Sequence, residues 1–448
     1  MMAMVWSWAF GNETKADLES IGFSFVESFG AGVQGPVSSA VDPLNAYTYS
    51  GSPTRYGWEF DTSVDGNNGR YQTMSFPSPS LPTNKGIVAI AHRGGAAVFG
   101  PQNRDLITVS VTLANSFRIQ TFGGTGTAAL YIDGNFKGTS ASVDASNWNY
   151  FVLVFDCSSL VGGDFTGSFY LNGNLEVSGS DVRNTGIYTV NGISWSSTQS
   201  GSFSGTNILG QIITYDDPVA DLADAVSPDN FVTRIVPNAD AGTVGTWTST
   251  GVPDPASGTD GATGTPDTTF TSASATFTST IGPVGVVTGY TLTIGVTTVA
   301  IQEVVSDTEL LVATGLGAGL TSQTYSVQDT NLFSAVKPPI DNTTYAGITA
   351  PASLDRLEVD TANGTDLQTL LGINPSSIKG ATVHSVSLAT AGTAKIGIQE
   401  GGSETLSAAQ PVQTSDTYLA ESVANNPSTG LAWDGADQPI LVYEITTV

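Results

Sequence analysis

Two histidines, His92 and His384, and one cysteine, Cys157, are the side chains of this sequence best suited to proton transfer, nucleophilic attack or zinc binding. A Ser–His–Asp constellation needs a base that is oriented by an acid and aimed at a nucleophile. Ser and Thr are so frequent here that nearness in sequence singles out none of them. His92 ends the apolar run "AIAHRGG", and His384 sits inside "ATVHSVSL". Both read as structural histidines on strands. Cys157 lies in an apolar run. With no second cysteine it can form no internal disulfide and no Cys-rich zinc site, so it reads as a small buried residue.

Paired carboxylates would point to glycoside hydrolysis. Residues 1–220 offer Glu13, Glu19, Glu27, Glu59 and Glu176, none of them in an E-x-D-x-x-E pattern. The nearest approach is "WEFD" at 58–61. No catalytic residue is assigned on these grounds, and the expectation is a chain that is not an enzyme. Asp133, Asp156, Asp164, Asp216 and Asp217 fall in turns or at strand ends, where hard cations find oxygen ligands. They lack EF-hand spacing and read as solvated turn residues. A structural calcium ion is the one metal such positions would suit, and no metal ligand is assigned. No cofactor is expected. "FGGTGTAAL" at 122–130 contains G-x-G-x-x-A, but a strand-like "LYIDG" follows where a dinucleotide loop needs a helix, so it reads as a glycine-rich loop. Trp195, Tyr131 and Tyr188 could stack on sugar rings, with core packing the default role.

The elements that must position these residues are strands. Only 12% of residues are charged, while the chain holds 51 Gly and 21 Pro. "YIDGNFKG" and "YLNGNLEVSG" each carry an Asx-Gly dipeptide between apolar runs, the signal of a type I′ hairpin. Around them lie short alternating runs: "YGWEFDT", "RYQTMSF", "GIVAIAHR", "LITVSVTL", "SFRIQTF", "AALYIDG", "NYFVLVFD", "GSFYLNG", "GISWSS" and "NILGQIITYD". Turn residues separate them at intervals of roughly 10–15 residues, which predicts an antiparallel sandwich or jelly roll. The fold class expected is all-β.

Aromatic content breaks near residue 220, with 29 of the 40 Phe, Trp and Tyr residues before it. "YDDPVADLADAVSPDN" marks the break and has weak helical periodicity at Val219, Leu222 and Ala225. The expected division is a jelly roll over 1–220, then a linker with the first strands of a C-terminal module over 221–256. A small inserted barrel-like β module over 257–330 and a C-terminal β-sandwich module over 331–448 complete it. In that last part "IDNTTYAGI" and "TDLQTLLGI" read as connections, and Leu367, Leu370 and Leu371 as a single helical turn.

The balance of 14 basic to 40 acidic residues provides no basic stripe for phosphates, so neither nucleic acid nor an anionic membrane is an expected partner. The opening "MMAMVWSWAFGNETKADLE" lacks a basic n-region and a small-residue cleavage site, and no apolar run is long enough to span a bilayer. Release by cell lysis fits such a sequence.

The stretch "AALYIDGNFKGTS … WNYFVLVFD … GSFYLNGNLEVSG … FSGTNILGQIITYD", over roughly residues 20–215, resembles the laminin-G-like, concanavalin-like jelly rolls. Downstream, "VTRIVPNADAGTVGTWTSTG", "IKGATVHSVSLATAGTAKIGIQEGG" and "TSDTYLAESVANNPSTGLAW" resemble a C-terminal module of tailed-phage virion proteins of the tail-fibre type. The resemblance implies a structural component of a tailed bacteriophage virion, assembled in the host cytoplasm and released by lysis. Its lectin-like domain would bind host-surface glycan or a neighbouring virion protein. By the same analogy it implies a homo-oligomer, a trimer in fibres. A capsid decoration or head-fibre protein is one alternative. A glycan-degrading enzyme on a concanavalin-like fold is another.

Overall fold

In the computed structural model, Asp133 and Asn172 take φ values of 51° and 49°, and the glycines after them, Gly134 and Gly173, take 79° and 86°. Positive φ at both central positions is what a type I′ turn demands, and it matches the right-handed twist of the flanking strands. Outside the structural description lie residues 1–3, 11–13, 29–32, 38–56, 62–70, 78–81, 95–103, 113–114, 123–125, 145–147, 159–163, 183–187, 199–205, 228–231, 233–238, 244–246, 251, 253, 332–333, 335–344, 349–351, 353, 361–379, 388, 390–391, 415–416 and 448. The Leu367, Leu370, Leu371 cluster falls there, as do residues 123–125 of the glycine-rich loop.

The chain divides into two compact units, one of residues 1–235 with 364–447 and one of 236–363 with Val448. The first unit contains an antiparallel sandwich. Its strands are β1 (Met4–Ala9), β2 (Ser24–Ser28), β3 (Val33–Val37), β4 (Gly57–Asp61), β5 (Tyr71–Ser75), β6 (Lys85–Gly94), β7 (Arg104–Val111) and β8 (Asn115–Phe122). They continue as β9 (Thr127–Ile132), β10 (Asn135–Ser142), β11 (Trp148–Asp156), β12 (Asp164–Leu171), β13 (Asn174–Val182), β14 (Val190–Thr198) and β15 (Thr206–Tyr215). Each of the ten alternating runs singled out in the sequence is a strand. Among the described residues of this unit, two helices accompany them, α1 (Lys15–Ser20), capped by a Thr14–Asp17 capping box, and the four-residue α2 (Leu222–Ala225). No helix among the described residues is long and apolar enough to cross a membrane.

One sheet runs β13-β12-β11-β6-β15-β4-β3, with β1 pairing the second half of β15. The other runs β10-β9-β8-β7-β14-β5-β2. The two Asx-Gly hairpins are the ends of these two sheets, and they are built to lie against each other. A Cβ on Gly167 of β12 would sit 3.2 Å from Ile132 of β9, and one on Gly179 of β13 would sit 3.1 Å from the Lys137 stem on β10. Small residues therefore let the hairpins approach. Glu176 then accepts the Ala141 backbone N–H at 2.7 Å, Lys137 stands 3.9 Å from Asp181, and Asn135 donates to Asp181.

Between the sheets sits an aromatic core. Trp6, Trp58, Trp195, Phe117, Phe151, Phe155, Phe165 and Phe169 are all fully buried. Burying apolar area of this size is the main force holding two sheets together. His92 points into the same core, with Phe151 at 6.1 Å and Trp195 at 6.0 Å between ring centroids.

The C-terminal part of the first unit packs onto β1. Its antiparallel strand pair of Ala381–Ser387 and Thr417–Val423 brings His384 beside Trp8, with ring centroids 5.0 Å apart, and stacks it on Tyr418. His384 Nε2 lies 3.1 Å from the Ser7 carbonyl oxygen, which can only accept, so Nε2 carries the proton. With the ring neutral, Nδ1 accepts from the Tyr418 hydroxyl, whose oxygen accepts from Trp6 Nε1 at 3.0 Å. The Ser422 hydroxyl donates to the Val5 carbonyl at 2.7 Å. His384 is a structural residue in this seam. A further apolar cluster around Ile396, Ile398, Leu419 and Trp433 holds the C-terminal strands together.

In the second unit, strands Tyr290–Ile294, Thr297–Ser306, Glu309–Val312, Thr269–Thr271, Ala256–Thr263 and Gln323–Asp329 form an antiparallel sheet that pairs back on itself. Its core is Phe270, Phe277, Leu292, Leu310, Tyr325 and Val327. The stretch "IDNTTYAGI", expected as a connection, contains a strand, Tyr345–Ile348. It pairs with Trp247–Thr250, a partner nearly a hundred residues away that no local pattern shows.

Burial drives the His92 pKa from 6.5 down to about 3. The fold keeps this ring neutral where the unfolded chain takes up a proton. Its contribution is complete above about pH 6.5 and is lost as pH falls toward 3. Thermal melts across that window should fall steeply for the parent and less steeply for His92→Gln; equal slopes would contradict this. His384→Ala removes the ring's bonds to the Ser7 carbonyl and the Tyr418 hydroxyl and should cost about 1–3 kcal/mol in a denaturant titration.

Candidate functional site

The outer faces of the two sheets differ. On the β13–β3 sheet, the outward side chains of β6, β11 and β15 are apolar: Ile87, Ala89, Ala91, Tyr150, Val152, Ile213 and Tyr215. The chain after β15 covers them, with Leu222, Ala225, Val226 and Val232 packing down, and the Val232 N–H bonding Gln211 Oε1 at 2.9 Å. On the β10–β2 sheet the outward residues are mostly polar or aromatic, with Ala129 of β9 and Val26 of β2 the apolar exceptions.

Alternation along β8 sorts its residues. Phe117, Ile119 and Thr121 are buried, while Arg118, Gln120 and Phe122 stand on the other face. Register then assembles the site. Arg118 opposes Tyr131 of β9, Tyr131 opposes Phe136 of β10, and Gln120 opposes Asp105 of β7. Arg118 Nη1 bonds both oxygens of Asp105, at 3.1 and 3.3 Å, and Gln120 Nε2 donates to Oδ1 at 2.8 Å. The Arg118 guanidinium lies 5.5 Å from the Tyr131 ring centroid, a cation–π distance. Tyr131, Phe122 and Phe136 form an aromatic patch with centroids 5.7–6.4 Å apart. Phe136 is 54% exposed, so the rim of this patch is open to solvent. Beyond Arg118 the face continues in small hydroxyl residues, Thr108, Ser194, Ser196 and Thr73, the last two bonded at 3.0 Å.

The remaining sequence candidates fall elsewhere. Trp195 is fully buried, and Tyr188 packs in the core against Phe165 at 4.7 Å. Cys157 donates to the Asn84 carbonyl, and its thiol is pushed up to about 12, first by burial and then by Asp156. That chemistry is inert. Asp133 makes the hairpin turn, and Asp156 accepts from the backbone and hydroxyl of Ser158. Asp217 accepts the N–H groups of Val219 and Ala220, which hold its pKa below the usual carboxylate value. Asp164 and Asp216 are exposed. The side chains of Glu59 and Asp61 lie outside the described residues. No group of three or more His, Cys, Asp or Glu capable of holding a metal occurs among the described residues.

Of the sugar-stacking candidates only Tyr131 stands on an open face. Arg118, Gln120, Asp105, Phe122 and Phe136 were not singled out from sequence. The alternation in "SFRIQTF" carries part of the signal, since it separates Phe117 and Ile119 from Arg118, Gln120 and Phe122.

No protein-family model matches the chain. No curated protein matches it. Solved structures do. An alginate lyase from Chlorella virus is 10% identical over 46% of this chain and 99% of that one, with a TM-score of 0.32. A Bacillus subtilis protein of unknown function with a galectin-like fold is 10% identical over 48% and 96%, with a TM-score of 0.31. A carbohydrate esterase from a Shiga toxin-encoding bacteriophage is 12% identical over 48% and 100%, with a TM-score of 0.30. Likenesses of this size describe a sandwich and not an activity. The expectation that the chain is not an enzyme nonetheless does not stand: a lyase and an esterase are among the sandwiches it matches, so the architecture gives no ground for excluding catalysis. That expectation rested on a missing carboxylate pair, and hydrolysis by paired carboxylates is one glycan chemistry among several.

The two faces of β8 and β10 should separate cleanly by mutation. Phe117→Ala, at a core position, should cost about 3–5 kcal/mol in chemical denaturation. Phe136→Ser should stay within about 0.5 kcal/mol of the parent. Comparable losses would mean that Phe136 is a packing residue.

Proposed function

We propose that this chain engages glycans on the outer face of its seven-stranded sheet, as a carbohydrate-active sandwich rather than a purely structural one. The observation that carries the reading is the Asp105–Arg118–Gln120 network set against the Tyr131, Phe122 and Phe136 rings. A sugar ring presents C–H groups on one face and paired hydroxyls at its rim. An aromatic patch takes the former, and planar fork-like groups such as carboxylate, guanidinium and amide take the latter. If the face also cleaves its ligand, Tyr131 is the candidate proton-transfer group. It stands beside the Arg118 cation, whereas Asp105 is already engaged by two donors.

Affinity electrophoresis in gels containing soluble polysaccharides tests binding, and release of new chain ends tests cleavage. The parent should be retarded by at least one polysaccharide. Arg118→Ala and Tyr131→Ala should each weaken that retention at least tenfold, about 1.4 kcal/mol. A parent retarded by none, or variants retarded like the parent, would overturn the reading.

A second reading, a component of a phage virion, is supported by the resemblance of the "VTRIVPNADAGTVGTWTSTG" and "IKGATVHSVSLATAGTAKIGIQEGG" stretches to tailed-phage modules. It is compatible with a glycan-engaging face. Immunogold labelling of virions with antibody to residues 1–220 distinguishes a tail or fibre position, a capsid position and absence from the particle.

A further inference from the structure

We infer that the face takes an uncharged glycan, and that Asp105 is the residue that excludes a uronate. This rests on the glycan reading above and goes beyond it to the class of ligand. Arg118 and Gln120 are the donors on this face that would bind a sugar carboxylate. Both already hold one: Asp105 accepts from Arg118 Nη1 through both oxygens and from Gln120 Nε2 through Oδ1.

A uronate would have to displace a carboxylate tethered to the same sheet, or sit beside it as a second negative charge. Among the described strand residues of this face, Asp105 and Arg118 carry the only charges, so the ion pair leaves the face neutral. The pair is about one-quarter to one-third exposed, open enough for a hydroxyl to bridge it without breaking it. A neutral sugar can donate to the free lone pairs of Asp105, accept from the remaining Arg118 N–H groups, and stack on Tyr131. Each of those contacts leaves the pair intact.

The test uses affinity electrophoresis of the full chain. The anionic probes are alginate and de-esterified polygalacturonate. The neutral probes are a soluble β-glucan, arabinan and fully methyl-esterified polygalacturonate, which is the same backbone without its charge. The variants are Asp105→Asn and Asp105→Ser, two replacements of different size, so that one misfolded protein does not decide the matter. The parent should be retarded by a neutral probe and not by the anionic ones. Each folded variant should gain at least tenfold in retention by an anionic probe, because Arg118 is released.

Retention of the parent by the anionic probes at least as strong as by the neutral ones would overturn the inference and leave the glycan reading standing. Anionic exclusion unchanged in both variants would also overturn it. That result would assign exclusion to the net charge of −26, which a single substitution hardly alters. Retention of no protein by any probe would overturn the glycan reading itself.

Discussion

The register of β8 is the constraint on which the site depends. A strand repeats every two residues, so a one-residue slip would turn Phe117 and Ile119 outward and send Arg118 and Gln120 into the core. Burying an unpaired arginine between two sheets is far costlier than exposing it. The apolar alternation therefore fixes not only the sandwich but also which side chains face solvent. Across the ladder, the same register sets Arg118 opposite Tyr131 and Gln120 opposite Asp105. Core and site are two faces of one pairing.

The two Asx-Gly hairpins anchor that register at the sheet edges. A type I′ turn fixes the pairs beside it, Asn135–Ile132 and Phe136–Tyr131 in one hairpin and Asn174–Leu171 in the other, and close approach at Gly167 and Gly179 lets the paired edges meet. Phe136 reaches the aromatic patch because it follows Gly134 by two residues on the outgoing strand. At the other side of the unit, the His384 seam serves a different end. It satisfies polar groups along β1 with a strand pair that lies almost four hundred residues away in sequence.

Much of this was legible in the sequence. The ten alternating runs, the two turns and the all-β class follow from period-two hydrophobicity and from Asn/Asp-Gly dipeptides, which are local signals. The site was less legible. Tyr131 was named as a stacking candidate together with Trp195 and Tyr188, and only pairing across sheets shows that the latter two are core. Arg118, Gln120 and Asp105 are ordinary strand residues until register brings them together. The strand at Tyr345–Ile348 was hidden for the same reason. The non-enzyme expectation failed differently: it equated glycan chemistry with paired carboxylates, and other chemistries need no such pair.

Hydrogen exchange on the full chain, with and without a retained polysaccharide, tests the central claim most directly. The account predicts added protection in residues 115–122 and 127–136, the strands that carry Arg118, Gln120, Tyr131 and Phe136. Protection confined to the opposite sheet, or to the second unit, would contradict it.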